Sequence, residues 1–99
     1  MKLCRVVGFA TSSIKAKGLA NHKLLVLKDI DDTGNATGEA FLAVDTIGAG
    51  LSEVVAVTTG VPACHVLSDP QAPVDAAVIA ILDSVSINKK EIHNQLKEA

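Results

Sequence analysis

The stretch AVDTIGAGLSEVV, residues 43–55, places two carboxylates and two closely spaced glycines inside an otherwise apolar, β-branched segment. The Val and Ile residues on either side are typical of strands. Gly48 and Gly50 permit close backbone approach, so the middle of the stretch is predicted to be a loop. Asp45 and Glu53 can accept hydrogen bonds from the loop amides. The stretch therefore predicts two strands joined by a loop whose shape its own carboxylates fix.

Similar apolar runs, separated by turn-forming residues, recur along the whole chain. Gly8 marks a bend in the first run, and the polar segment that contains Gly34 and Gly38 predicts a hairpin loop with positive φ at both glycines. Pro62 favours one helical turn over VPACHVL. Five strands with short loops predict an all-β fold, a small five-stranded antiparallel OB-like β-barrel. The predicted strands are residues 2–14, 23–31, 39–47, 53–59 and 76–87.

Composition limits both the number of domains and the kinds of partner. A chain of 99 residues has the usual size of one domain. Its 9 basic and 11 acidic residues give a net charge of −2, which offers no long-range attraction to nucleic acid or anionic lipid. Apolar residues make up 48% of the chain and the mean hydropathy is +0.37. Since this is high for a small monomer, part of the apolar surface is expected to contact another subunit.

The termini and cysteines indicate a cytoplasmic protein. The apolar run in MKLCRVVGF is too short for a signal peptide, and no stretch approaches the length of a membrane span. Cys4 and Cys64 are then expected to be reduced thiols.

The residues after Asn88 form a different kind of segment. Asn88 is a candidate helix N-cap with Glu91 three residues later, and Ile92 and Leu96 have i, i+4 spacing. The sequence thus predicts a barrel over residues 1–87 and a short C-terminal helix over 88–99. A narrow apolar stripe cannot hold a short helix alone, so Ile92 and Leu96 are expected to dock it on another surface.

Residues capable of catalysis or metal binding are present but poorly spaced. Cys64 and His65 are adjacent, and adjacency is not the geometry that activates a thiol. The thiols and imidazoles show none of the spacings that place metal ligands on one face. We therefore expect no catalytic, metal or cofactor site among Cys4, His22, Cys64, His65 and His93.

Four blocks together resemble a known protein family. In order along the chain they are RVVG, KLLVL, AVDTIGAGLSEVV and PVDAAVIAILDSV. In this order and spacing they resemble the EutN/CcmL family, the vertex proteins of bacterial microcompartments. The stretch GLANHKLLVLKDIDDTGNATG is more similar to the ethanolamine-utilisation branch than to the carboxysome branch.

The resemblance implies a structural role and no reaction. A member of this family is an OB-like barrel that forms pentamers, and these occupy the vertices of a polyhedral shell in the cytoplasm. Hexameric shell proteins of another family would be its partners in the facets. A sheet of hexagonal units lies flat, and five-fold units at the corners let it close.

The resemblance also gives the opening loop a role at a subunit interface or ring axis, where space is scarce and small residues are expected. The alternative is a glycine turn with capping carboxylates that contacts no other subunit. The second block, which begins at Pro73, is either a second interface or a device that positions the last strand. The candidate residues are Asp45, Gly48, Ala49, Gly50 and Glu53 for the first site, and Pro73, Asp75 and Ala76 for the second.

One departure from the family pattern affects a possible shell contact. The family often has an arginine where this chain has His65 in GVPACH. An imidazole cannot reproduce the forked hydrogen bonds of a guanidinium. His65 is therefore a candidate shell contact of altered chemistry.

Two other classes of function remain as alternatives. An OB-like barrel can bind single-stranded nucleic acid or a small ligand, although such binding uses aromatic platforms and basic grooves, and Phe9 and Phe41 are the only aromatic residues. A thiol enzyme that uses Cys64 is the other alternative.

Overall fold

The computed structural model describes residues 1–12, 16, 22–67 and 74–95. Strands dominate this part of the chain, as its β-branched runs predict. A single helix follows the fourth strand. The elements are β1 (Lys2–Ala10), β2 (Lys23–Ile30), β3 (Ala36–Asp45), β4 (Val54–Thr59), α1 (Val61–Val66), β5 (Ala76–Leu82), β6 (Ser84–Ile87) and β7 (Lys90–Asn94).

The first five strands close into a barrel in the order β1-β2-β3-β5-β4. The predicted small barrel is confirmed, but it is mixed instead of wholly antiparallel. Strands β3 and β5 are parallel and share two residue pairs, Val44 with Ala77 and Asp45 with Val78. The reason is geometric, because a closed ring with an odd number of strands must contain at least one parallel pair.

The first strand bends at the predicted glycine. The register between β1 and β2 shifts between Val6 and Gly8, which is the signature of a bulge. The strand ends at Ala10, so the predicted extension through residues 11 and 12 does not form, and residues 13 and 14 lie outside the described part of the chain. The bulge lets β1 curve around the barrel.

Alternate strand positions point inward and form an aliphatic core. The buried side chains are mostly Val, Leu and Ala, as the near absence of aromatic residues requires. Fully burying one such Val or Leu side chain stabilises the fold by about 1.5–3 kcal/mol before the entropy of ordering is subtracted. The cluster contains Cys4, Val6, Leu25, Leu27, Ala43, Ala49, Val55, Val57, Ala76 and Val78.

The helix packs on the outside of the barrel and makes a second, smaller core. Pro62 lies in its first turn, as predicted, and Gly60 precedes it with φ of 73°. Ala63 is completely buried and packs with Val44, Val74 and Ala77. The helix therefore covers the seam between β3 and β5.

The predicted C-terminal helix is wrong for residues 90–94, which form β7. Strand β7 pairs with β6 as a separate two-stranded sheet, here called the hairpin. Asn88 and Lys89 join the two strands with φ of 52° and 66°, the left-handed values that a two-residue hairpin turn needs. The strand predicted over 76–87 accordingly breaks at Asp83 into β5 and β6. Leu96 lies outside the described residues.

Candidate subunit interface

The loop between β3 and β4, residues 46–53, is organised by the carboxylate at the end of β3. Asp45 is 8% exposed. Its Oδ1 accepts hydrogen bonds from the amide nitrogens of Ile47 at 3.1 Å and Gly48 at 3.0 Å, and its Oδ2 accepts one from the amide of Ala49 at 3.0 Å. The prediction that Asp45 fixes the loop is confirmed.

The second carboxylate closes the other side of the loop. Glu53 Oε1 accepts a hydrogen bond from the amide of Gly50, and the amide of Glu53 donates to the carbonyl oxygen of Gly50 at 3.2 Å. A Cβ placed on Gly50 would lie 3.1 Å from Glu53 Oε1. Gly50 therefore lets the Glu53 carboxylate approach the backbone closely.

Gly48 differs from Gly50, because its backbone conformation is what favours glycine. Its φ is 84°, a left-handed value that residues with a Cβ rarely adopt. A Cβ added there would meet no atom of the described chain within 4 Å. The side of Gly48 that would carry a side chain thus faces open space.

The loop also displays apolar side chains. Ile47 is 44% exposed and Leu51 is 59% exposed, while Ala49 between them is buried in the barrel core. These side chains provide apolar area at the surface beside the open face of Gly48. Sequence reasoning missed Ile47 and Leu51, and their signal was the presence of apolar residues in a loop position that is usually polar.

Arg5 connects this loop to the turn between β2 and β3. Its Nη1 donates to the carbonyl oxygen of Ser52 at 2.8 Å and its Nη2 donates to that of Gly34 at 3.3 Å. Gln95 Nε2 donates to Glu53 Oε2 at 3.0 Å, so the residue that follows β7 is also bonded to this loop. Sequence reasoning missed Arg5 and Gln95, because their partners are distant in the sequence and no local pattern marks them.

The second predicted interface lies at the start of β5, the strand that pairs with the end of β3. Asp75 is exposed and Ala76 is buried. The amide of Gly60, just after β4 ends, donates a hydrogen bond of 2.7 Å to the carbonyl oxygen of Asp75. The loop of residues 46–53 ends at the other end of that strand, where Val54 begins β4. Asp45 and Ala76 are nevertheless only about 8 Å apart, because Asp45 pairs with Val78, two residues after Ala76. Pro73 lies outside the described residues.

A groove lined by both polar and apolar residues runs beside that second candidate. It has a volume of about 560 Å³. Leu42, which is 52% exposed, contributes to its wall. The groove is lined by Lys2, Phe41, Leu42, Thr59, Gly60, Asp75 and Ala76.

His65 lies on the exposed side of the helix, in its last turn. Cys64 Sγ donates a hydrogen bond to the carbonyl oxygen of Val74 at 3.0 Å, which points the thiol toward the backbone before β5. The two neighbours therefore have separate environments. Among the described residues, no group of three His, Cys, Asp or Glu side chains could hold a metal ion.

The other thiol, that of Cys4, is buried and poorly reactive. Cys4 has no exposed surface. Burial raises its pKa to about 12, and the hydrogen bond with Asp29 adds to the effect. Since the thiolate is the reactive form, Cys4 is a poor nucleophile at neutral pH. No helix in the described residues has the length and apolar character needed to cross a membrane.

The described residues thus form a small, closed five-stranded β-barrel with a carboxylate-fixed loop. The family model described as ethanolamine utilisation protein EutN/carboxysome matches residues 1–83. The chain belongs to the EutN/CcmL family, which confirms the resemblance that its sequence blocks carry.

Individual relatives agree with this assignment. The chain is 37% identical to the carboxysome shell vertex protein CcmL of Synechococcus elongatus, with 96% of each chain covered. It is 38% identical to the crystal structure of the ethanolamine utilisation protein EutN from Escherichia coli, with a TM-score of 0.85 and coverage of 97% of this chain and 99% of that chain. The similar identities leave the ethanolamine-like branch a prediction.

The name of a third relative includes its oligomeric state. The GrpN pentameric microcompartment shell protein from Rhodospirillum rubrum is 36% identical to this chain, with a TM-score of 0.78. The match covers 88% of this chain and 98% of that chain. Proteins similar to this chain are thus structural shell components.

Proposed function

We propose that five copies of this chain form a ring that occupies the vertices of a bacterial microcompartment shell in the cytoplasm, beside hexameric shell proteins. The observation that carries the proposal is the 36% identity to a pentameric shell protein over 98% of that chain. The role is structural, since five-fold units supply the corners that let a flat hexagonal layer close. No reaction and no cofactor belong to it.

The loop of residues 46–53 is proposed as the surface where neighbouring copies meet or approach the ring axis. In a cyclic ring each subunit presents two different surfaces to its neighbours. The exposed side chains of Ile47 and Leu51 provide apolar area, and the open face of Gly48 permits close approach of a neighbouring backbone. Asp45 and Glu53 act indirectly, by holding the loop in shape.

The second surface of the ring is proposed to include Asp75, Ala76 and the neighbouring groove with Leu42. The two surfaces of a head-to-tail contact must be distinct, and none of the residues that line this groove belongs to the loop of residues 46–53. His65 remains the proposed contact with the facet proteins. We place it there because it is exposed on the outer helix.

Sedimentation velocity and native mass spectrometry on the purified chain test the ring directly. The expected mass is five times the chain mass of 10.2 kDa. A monomer at micromolar concentration contradicts the proposal, and a hexamer removes the corner geometry.

Co-production with a hexameric shell protein tests the role in the shell. Closed particles are expected in place of the tubes and sheets that the hexamers form alone. Unchanged tubes and sheets, with the chain absent from them, contradict the vertex role.

A further inference from the structure

The hairpin is a small sheet of its own and needs support. Its strands hydrogen-bond to each other and do not join the barrel sheet. A two-stranded hairpin is marginally stable in water unless it packs on something else. Val85 and Ile87 remain only half-buried on it. The hairpin therefore has apolar area to offer to another surface.

One contact fixes where the hairpin leaves its own barrel. Gly34, in the turn between β2 and β3, lies so close to the carbonyl of Ile92 that a Cβ would not fit between them. Gln95 bonds to Glu53 at the same end of the barrel. The base of the hairpin is thus level with the β2–β3 turn.

The tip of the hairpin is cationic. Lys89 and Lys90 are exposed, and within the described part of the chain neither makes an ion pair or hydrogen bond through its ammonium group. Lys90 and Lys89 lie two and three residues from Ile92 along the hairpin. The tip therefore extends about 7–10 Å past the contact between Ile92 and Gly34.

The β2–β3 turn is anionic. Asp31 and Asp32 are both exposed. Asp31 Oδ1 accepts hydrogen bonds from Thr33 and Asn35, which hold the turn in shape. Asp32 makes no ion pair with a described residue. The same chain thus carries a fixed acidic turn and a basic hairpin tip.

Rotational symmetry places the base of the hairpin and the neighbour's acidic turn at the same height. A rotation about the ring axis moves a subunit sideways without raising or lowering it, so the neighbour's acidic turn is level with the base of this hairpin. The cationic tip is within about 7–10 Å of that height, and its charge is opposite to that of the turn, which favours one occupant for the hairpin, a second copy of the chain.

We propose that the hairpin, Ser84–Asn94, is an intersubunit arm whose Lys89 and Lys90 lie against the Asp31 and Asp32 turn of the adjacent copy. The inference rests on the proposed ring and names a contact within it. Such exposed ion pairs add modest affinity and mainly fix orientation and partner choice.

Zero-length carbodiimide cross-linking tests the contact in the unmodified protein. Rings assembled from equal amounts of ¹⁵N-labelled and unlabelled chain are treated and digested. Peptides that join Lys89 or Lys90 to Asp31 or Asp32, in mixed heavy and light pairs, are expected. If only pairs within one chain form, or none form in an intact ring, the inference is wrong.

Charge reversal gives an independent test. Lys90→Glu and Asp32→Lys are each expected to weaken ring association about fivefold per interface at low salt. The combined variant is expected to return to within about twofold of the parent. Ala16→Glu is the control, because it also makes the chain more negative, at an exposed residue outside the hairpin and outside the loop of residues 46–53.

The outcomes separate the two proposals. If the unmodified chain does not form a ring, the proposed function fails. If the ring forms but reversal at Lys90 weakens it no more than Ala16→Glu does, or the combined variant is not rescued, only the arm is wrong. Urea unfolding of each variant, expected to match the parent, shows that the charge changes leave the fold intact.

Discussion

Asp45 Oδ1 lies 3.0 Å from the amide nitrogen of Gly48, a residue whose φ is 84°. The contact joins the end of a strand to a left-handed glycine three residues later. It allows the chain to leave the barrel, turn tightly and present Ile47 at the surface while Ala49 returns to the core.

Removal of this carboxylate is expected to destabilise the barrel. Asp45→Ala leaves the amides of Ile47, Gly48 and Ala49 without their acceptor, which should lower the free energy of unfolding by about 2–4 kcal/mol. Urea denaturation monitored by circular dichroism measures this. Glu39→Ala, on an exposed carboxylate outside both proposed surfaces, is the control and should change stability by about 0.5 kcal/mol or less. Equal effects would mean that the Asp45 bonds do not support the fold.

Gly48 allows the interface to be tested without breaking the loop. Asn tolerates left-handed φ, and a side chain at this position meets open space in the single chain. Gly48→Asn should therefore leave the unfolding midpoint within about 0.5 kcal/mol of the parent but weaken the ring by crowding the neighbouring subunit. Sedimentation velocity on both proteins decides. A ring of unchanged affinity would place Gly48 outside the interface.

Two glycines form a matched pair for the hairpin contact. Gly34 and Gly38 have φ of 91° and 78°, so Gly→Ala at either should cost about 1 kcal/mol of backbone strain. Only Gly34 faces the backbone of Ile92, whereas Gly38 faces open space. Gly34→Ala is expected to lose about 2 kcal/mol more than Gly38→Ala in urea unfolding. Similar losses would show that the hairpin does not press on the turn.

The Cys4 thiol should make the fold sensitive to alkali. Burial and Asp29 raise its pKa from 9.0 to about 12. Between these values the unfolded chain loses the proton and the folded chain keeps it, so the contribution to stability is present below pH 9 and is lost as the pH rises toward 12. Cys4→Ala should lose less stability between pH 8 and pH 10.5 than Cys64→Ala. Identical losses of stability in the two variants would contradict the raised pKa of Cys4.

The stability that Asp31 contributes should be lost at acid pH, whereas that of Cys4 is lost at alkaline pH. The hydrogen bond from the Thr33 hydroxyl, with those from backbone amides, holds the pKa of Asp31 below 3.8. The folded chain therefore gains from an ionised Asp31 above pH 3.8 and loses that gain as the pH falls. Thr33→Val should move the NMR titration midpoint of the Asp31 carboxyl carbon upward. A midpoint that does not move would remove the hydroxyl as the cause.

Local patterns predicted the barrel and the central loop well. Asp45 and Glu53 lie within four residues of the amides that they bind, so the sequence alone indicates the bonds. The links from Arg5 to Ser52 and from Gln95 to Glu53 span 47 and 42 positions. Such contacts depend on how the barrel closes, which no local pattern records.

The hairpin was mispredicted because one segment fits two structures. Asn88 is favourable both as a helix N-cap and in a left-handed turn, and Glu91 completes an apparent capping box. The alternation of Ser84, Val85, Ser86 and Ile87 has the period of a strand. Pairing with that preceding strand decided in favour of the turn.

The bonds around Asp45 and Glu53 have a consequence for how subunits recognise each other. Each chain completes them internally, so the loop has one conformation before any neighbour arrives. Association then orders little additional backbone at this surface, and the entropic penalty of binding falls mainly on side chains. Each neighbour therefore docks against a loop whose backbone shape is already set by its own chain.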